Sequence, residues 1–256
     1  MLALLSPSKR LDFETQDPVD NHTDPLFLEQ SQQLVDILID YSEKEMQELM
    51  DISENLAELN VKRYQKFETP FSPSNAKSAI YAFQGDTYIG LEAETLSSDD
   101  VAYSQDHLGM LSGLYGLLRP KDLIQPYRLE MGTKLDNPQG DNLYDFWGGQ
   151  ITKACNDLVA GHKHKATISL ASQEYIKAVN PDDLNGPLIT CHFKEIKNGS
   201  PRTIAVYAKR ARGAMARYMI QNRIEEPDGL KSFDLDGYGF SDDLSDEENL
   251  TFIRKS

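Results

Sequence analysis

The stretch "YAKRARGAMARYM" gathers Lys209, Arg210, Arg212 and Arg217 in a chain whose formal net charge is -15. Guanidinium forks beside an ammonium are the side chains that hold phosphate or carboxylate groups. The residues before them, "PRTIAVYAK", read as a strand, and "RARGAMARYMIQNRI" as a helix. Lys209, Arg210 and Arg212 are therefore expected in or just before the first helical turn. Cations are disfavoured there by about 0.3 to 1 kcal/mol, because the free N–H groups already make that end positive. An anion held by those N–H groups and by the guanidinium forks would resolve the conflict, and Gly213 would let backbone or ligand come close. At about 100° per residue, Arg210 and Arg217 share one face while Lys209 and Arg212 share another. Ion pairing with the acidic first hundred residues is the structural alternative.

A second basic group lies in "SGLYGLLRPKDLIQPYRLEM", where Gly113 and Gly116 precede Arg119, Lys121 and Arg128. Glycines in a tight turn between helices can offer backbone N–H groups to a DNA phosphate without regard to base sequence. That is the logic of a helix-hairpin-helix, although two residues separate the glycines here rather than the usual one. Close helix packing at both glycines explains them equally. Lys9 and Arg10, in the "SPSKR" loop after the first strand, are a third anion candidate, since loops at strand ends often hold ligands in α/β folds, although a solvated Lys-Arg pair is common. Asp86 and Glu130 are the weak candidates for acid/base work, with Glu174 also near these stretches.

Other chemistry is poorly supported. His162 and His164 in "GHKHK" have the spacing of two ligands on a strand face, but no third ligand is evident, so no metal site and no cofactor is expected. Cys155 and Cys191 are too few to staple the chain and read as small buried hydrophobes, which fits a reducing cytosolic setting. No phosphate-binding glycine loop, dinucleotide fingerprint, serine elbow or zinc-protease motif occurs. No apolar run approaches the roughly 18 to 20 residues of a membrane span, and "MLALL" reads as a buried first strand rather than a signal core.

The elements that must position these residues alternate in period. "LFLEQSQQLVDILIDYS" is an amphipathic helix, "EKEMQELMDISENLAELNVKRYQKF" one or two more, and "SPSNAKSAIYAF" another. Thr87 to Ile89 favour a strand, and a helix is expected over residues 98–118. "LIQPYRLEM" is strand-like and "NLYDFWGGQITKACNDLVAG" helical. "KATISLAS" and "PLITCHFKEI" read as strands, as does "LTFIRK" near the end. This mixture without repeat or linker predicts one α/β (α+β) domain over residues 1–256, with a mixed sheet, surrounding helices and a mobile acidic segment at about 241–248. Charge is uneven: residues 101–224 carry 16 Lys+Arg against 11 Asp+Glu, inside an otherwise acidic chain. A local basic surface therefore fits the composition.

Taken together, "LLSPSK", "AFQGDTYIGLEAET", "MLSGLYGLLRPKDLIQPYRLEMG", "LYDFWG", "LASQEY" and "YAKRARGAMARYMIQNR" resemble, in order and over nearly the whole chain, the YaaA family of bacterial peroxide-stress proteins. The resemblance implies a cytosolic protein of the hydrogen peroxide response that lowers free iron and protects DNA. It also implies a mixed α/β body with a positively charged cleft, a helix-hairpin-helix-like element and double-stranded DNA binding. The matching cleft candidates are Lys9, Arg119, Lys121, Arg128, Lys209, Arg210 and Arg212. Non-specific duplex binding through that cleft is the leading expectation. Its rival is an enzyme acting on a small phosphorylated or carboxylated metabolite in the same place.

Overall fold

A strand with no polar face has to be covered on both sides, and β1 (Leu2–Leu5) is: every one of its side chains is buried. It lies between β2 (Leu108–Ser112) and β4 (Thr167–Leu170), parallel to both, with Ala3 opposite Leu108 on one side and Ile168 on the other. β4 pairs with β5 (Leu188–Lys197), and β5 with β8 (Asn249–Lys255), again in parallel. Antiparallel strands complete the sheet: β3 (Gly116–Leu118) beside β2, β7 (Tyr238–Phe240) beside β8, and β6 (Ser200–Arg202) along the end of β5. The order across the sheet is β7-β8-β5-β4-β1-β2-β3. The computed structural model describes residues 1–197 and 199–255.

Helices pack around this α/β sheet. In α1 (Leu28–Leu38) the buried Ser31, Leu34, Val35 and Leu38 form the expected stripe. α2 (Glu43–Met50) starts with a capping box, where Ser42 Oγ accepts from Glu45 N at 3.3 Å and Ser42 N donates to Glu45 Oε2 at 2.8 Å. α3 (Glu54–Gln65) follows, then α4 (Asp86–Leu91) and α5 (Ser98–His107). Gly148 and Gly149 divide the long helix expected over residues 142–161 into α6 (Leu143–Trp147) and α7 (Gln150–Val159). α8 (Ala205–Gln221) crosses β5, β4 and β1. The acidic segment joins β7 to β8 through a 3-10 turn at Asp242–Leu244, and Asp246 Oδ1 accepts from the backbone N–H groups of Glu248 and Asn249.

Two elements differ from their sequence reading in ways that bear on function. The helix expected over residues 98–118 stops at His107, and the chain becomes a β-hairpin in which Met110 pairs with Leu118 and Ser112 with Gly116. Gly113 and Gly116 thus flank a strand-to-strand turn whose Leu114 and Tyr115 are fully buried, so these glycines do not sit in a turn between helices. The glycines serve packing. A Cβ on Gly113 would lie 2.4 Å from the Leu129 carbonyl oxygen, and Gly116 adopts φ +68° against the Trp147 ring. Trp147 Nε1 donates to the Gly113 carbonyl oxygen at 3.0 Å, which locks the turn inward.

The second difference is the start of α8, at Ala205 after an extended Ile204. Lys209 therefore sits in the second turn, not at the N-terminus, and the dipole argument for an anion there lapses. The strand expected at Thr87–Ile89 is instead part of α4. α4 and α8 cross at glycines: a Cβ on Gly213 would lie 1.8 Å from the Thr87 carbonyl oxygen, and one on Gly90 2.0 Å from that of Arg210.

Candidate anion-binding site

Parallel strands leave a crevice beyond their carboxyl ends, where loops diverge. Here β1 runs into Ser6–Pro7–Ser8–Lys9 and β4 into Ser172, and the two ends are tied together: Ser172 N donates to Ser6 Oγ at 2.8 Å. Together with α4, the segment 127–130 and α8, these loops enclose a cavity of about 510 Å³. Tyr88 closes its floor by donating to the Ser6 carbonyl oxygen at 3.0 Å, and Tyr127 by a hydrogen bond of 2.7 Å to Ser112 on β2. Burial raises the pKa of both phenols above the ordinary tyrosine range, so they serve as neutral hydrogen-bonding groups.

The cavity brings together Lys9, Arg128, Lys209 and Arg212, with Asp86, Glu130 and Glu174 among them. Lys9 and Arg128 are bridged by one carboxylate, Glu130, at 2.8 and 3.1 Å. Glu174 is engaged by the Gly132 backbone N–H at 3.0 Å. Asp86 pairs with Arg210 at 3.1 Å on the flank of the cavity, and Arg217 donates to the carbonyl oxygens of Leu91 and Glu92. The two faces anticipated from helical spacing are thus real: Arg210 and Arg217 fasten α8 to α4, while Lys209 and Arg212 face the cavity.

Arg212 stands apart. Its guanidinium is half-buried, its Nε is shielded from solvent without a hydrogen-bond partner, and among the described residues no carboxylate lies within ion-pair distance. Burial pushes its pKa below the usual arginine value. Arg128 Nε is likewise buried and unpartnered. Lys209 is exposed at the rim and has no ion pair among the described residues. Arg10, the neighbour of Lys9 in the first loop, also lines the cavity.

Arg119 and Lys121 lie elsewhere. Arg119 gives Nη2 and Nε to the fully buried Asp122 at 2.8 and 3.1 Å, and its Nη2 also reaches the Asp24 carbonyl oxygen, so it is a structural ion pair. Lys121 follows it on the surface, with its backbone N–H bound to Gln105 Oε1 at 2.8 Å. Neither borders the cavity. His162 stacks on His107 with ring centroids 4.1 Å apart, and among the described residues no group of three or more His, Cys, Asp or Glu side chains is placed to hold a metal ion. Ser6, Ser172, Tyr127 and Tyr175 also line the site, though none is a candidate by sequence, because serines and tyrosines have no distinctive spacing; the position of Ser6, Ser172 and Tyr175 after β1 and β4 is the signal that finds them.

Comparison with known proteins agrees with the resemblance of the motifs. A family model described as peroxide stress protein YaaA matches residues 1–244. A UPF0246 protein of Alteromonas mediterranea is 50% identical over 254 residues, covering 99% of this chain and 98% of its own. One of Aromatoleum aromaticum is 50% identical over 260 residues and one of Shewanella oneidensis 48% over 256, each covering 100% of both chains. On this full-length match, the chain belongs to the YaaA family of peroxide stress proteins.

Proposed function

We propose that the protein serves the peroxide stress response by binding a small phosphate- or carboxylate-bearing molecule in the cavity at the carboxyl ends of β1 and β4. One observation carries this reading: the half-buried Arg212, whose shielded Nε and missing counter-ion are costly unless an anion completes them. The volume of about 510 Å³ falls within the roughly 300 to 1,000 Å³ of small-molecule sites. An overall charge of -15 also suits a compact ligand better than a long polyanion, which must pass near residues that repel it. Arg212 and Arg128 would grip the anion, Lys209 would draw it in, and Glu130 would hold Lys9 and Arg128 in place.

The second reading takes the duplex DNA binding and the lowering of free iron that the resemblance implies. It is favoured by the exposed Lys209 and Arg10 at the rim, which a DNA backbone could reach. Isothermal titration with inorganic phosphate, pyrophosphate, citrate and a duplex separates the two. Saturable binding of one of the small anions, lost in Arg212→Gln, is expected. If none of them binds while the duplex does, with log affinity falling about 0.9 per log salt for each phosphate contacted, the DNA reading replaces ours.

A further inference from the structure

A second cavity, of about 710 Å³, adjoins the first, and Arg10 and Gln84 line both. Its far wall is the C-terminal part of α3, which contributes Leu59, Lys62, Arg63 and Lys66. The charges that face it are uneven in their partners. Lys62 is paired with Glu58, and Asp12 is taken up by Thr15 and Lys77. Glu14 is exposed at the edge. Among the described residues, Arg10, Arg63 and Lys66 have no carboxylate within ion-pair distance, and the hydrogen bond from Arg63 Nη1 to Asn60 Oδ1, at 3.3 Å, is so near the limit that it contributes little.

Arg63 is also desolvated, and burial lowers its pKa, against an opposing contribution from Tyr64 and with a lesser lowering by the charge of Arg128 in the neighbouring cavity. Glu130 meets Arg128 through Nη2 only, so among the described residues the buried Arg128 Nε and the Arg63 guanidinium are left without an anion across the boundary. Beside these cations the wall is apolar, formed by Leu11, Phe13, Leu59 and Pro126, with Leu59 42% exposed. An exposed leucine and a half-buried phenylalanine next to unpaired cations suit a ligand with a flat, weakly polar ring at one end and anionic groups at the other.

We infer that Arg10, Arg63 and Lys66 form a second anion subsite, and that one ligand of the nucleotide class spans both cavities. Its base lies against Leu59 and Phe13, and its phosphates run past Arg63 to Arg128 and Arg212. This rests on the anion reading of the first cavity for the far phosphate only; the subsite on α3 stands on its own residues.

The test is a titration series with inorganic phosphate, pyrophosphate, adenosine, AMP and ADP against the wild type, Arg63→Gln and Lys66→Gln. Lys66 is exposed, so its variant keeps the fold even where loss of Arg63 disturbs α3. ADP binds the wild type more tightly than pyrophosphate does, each variant weakens ADP by about tenfold, and inorganic phosphate binding is unchanged. ADP no tighter than pyrophosphate, or ADP affinity equal in the wild type and in both variants, overturns the inference even if phosphate binds. Failure of phosphate, pyrophosphate and citrate alike to bind refutes the first-cavity reading, whereas nucleotide binding sensitive to Arg63 and Lys66 would still uphold the subsite.

Discussion

Replacing Arg212 by methionine should make the empty protein more stable and the liganded protein less so. Its Nε is shielded and unpartnered, and a buried donor left unmade costs about 1 to 3 kcal/mol. Methionine keeps the length of the aliphatic stem that packs between α8 and the sheet and removes the polar head. Allowing for imperfect repacking, a gain of about 1 kcal/mol is expected, which for a chain of this size raises Tm by about 2 to 4 °C. Phosphate at a hundred times its Kd stabilises the wild type by about 2.7 kcal/mol and leaves the variant unmoved. The two melting curves therefore exchange order between phosphate and a chloride buffer of equal ionic strength, which differential scanning calorimetry reads directly. A variant that is less stable than the wild type by more than about 1 kcal/mol in chloride, or that keeps its response to phosphate, refutes the idea that Arg212 is held ready for an anion.

Asp122→Asn removes the charge that meets Arg119 and Thr23 in the interior, and urea unfolding should show a loss of about 3 to 5 kcal/mol with no change in anion affinity per folded molecule. Gly213→Ala forces α8 away from the Thr87 carbonyl oxygen; a loss towards the upper end of about 1 to 3 kcal/mol is expected by the same assay, together with weakened anion binding because Arg212 moves with the helix. His162 has its pKa lowered from 6.5 to about 4, by burial first and then by the positive charges of the Met1 amino group and His107. The unfolded chain thus takes up more protons between these values, so Tm falls as pH drops from 6.5 towards 4, and His162→Phe, which keeps the stack on His107, flattens that slope. Lys121→Gln leaves phosphate affinity as it is in calorimetric titration, since the side chain does not border the cavity.

Much of the fold is legible in the sequence where periodicity is unambiguous. The stripe of Leu34, Val35 and Leu38 marks α1, and the short runs at Leu2–Leu5 and Thr167–Leu170 and the alternation of Leu188–Lys197 mark three of the parallel strands. It fails where a segment is buried on all sides. Leu108–Ser112 is covered on both faces, so its unbroken apolar run looks the same as the end of a buried helix. Thr203, Ile204 and Val206 suggest a strand by their branching, yet Ala208, Ala211 and Ala214 commit the segment to a helix because their small side chains let it sit on β4 and α4. For the site, the cations of α8 and Lys9 were legible as charges out of place in an acidic chain. Arg63 and Lys66 were not, because they follow a run of glutamates that reads as a solvated helix face, and only the packing of α3 reveals that this end of the helix turns toward a cavity.

Tyr64, buried in the core at the residue after Arg63, donates its phenol to the carbonyl oxygen of Arg128 at 2.7 Å. The backbone points that carry the two guanidiniums are thereby set at a separation fixed by the interior rather than by loops. Molecules entering the joined cavities are consequently sorted by reach: one whose charged groups stand too near or too far apart can satisfy one arginine only, and tuning that tolerance requires changing a tyrosine that no ligand ever touches.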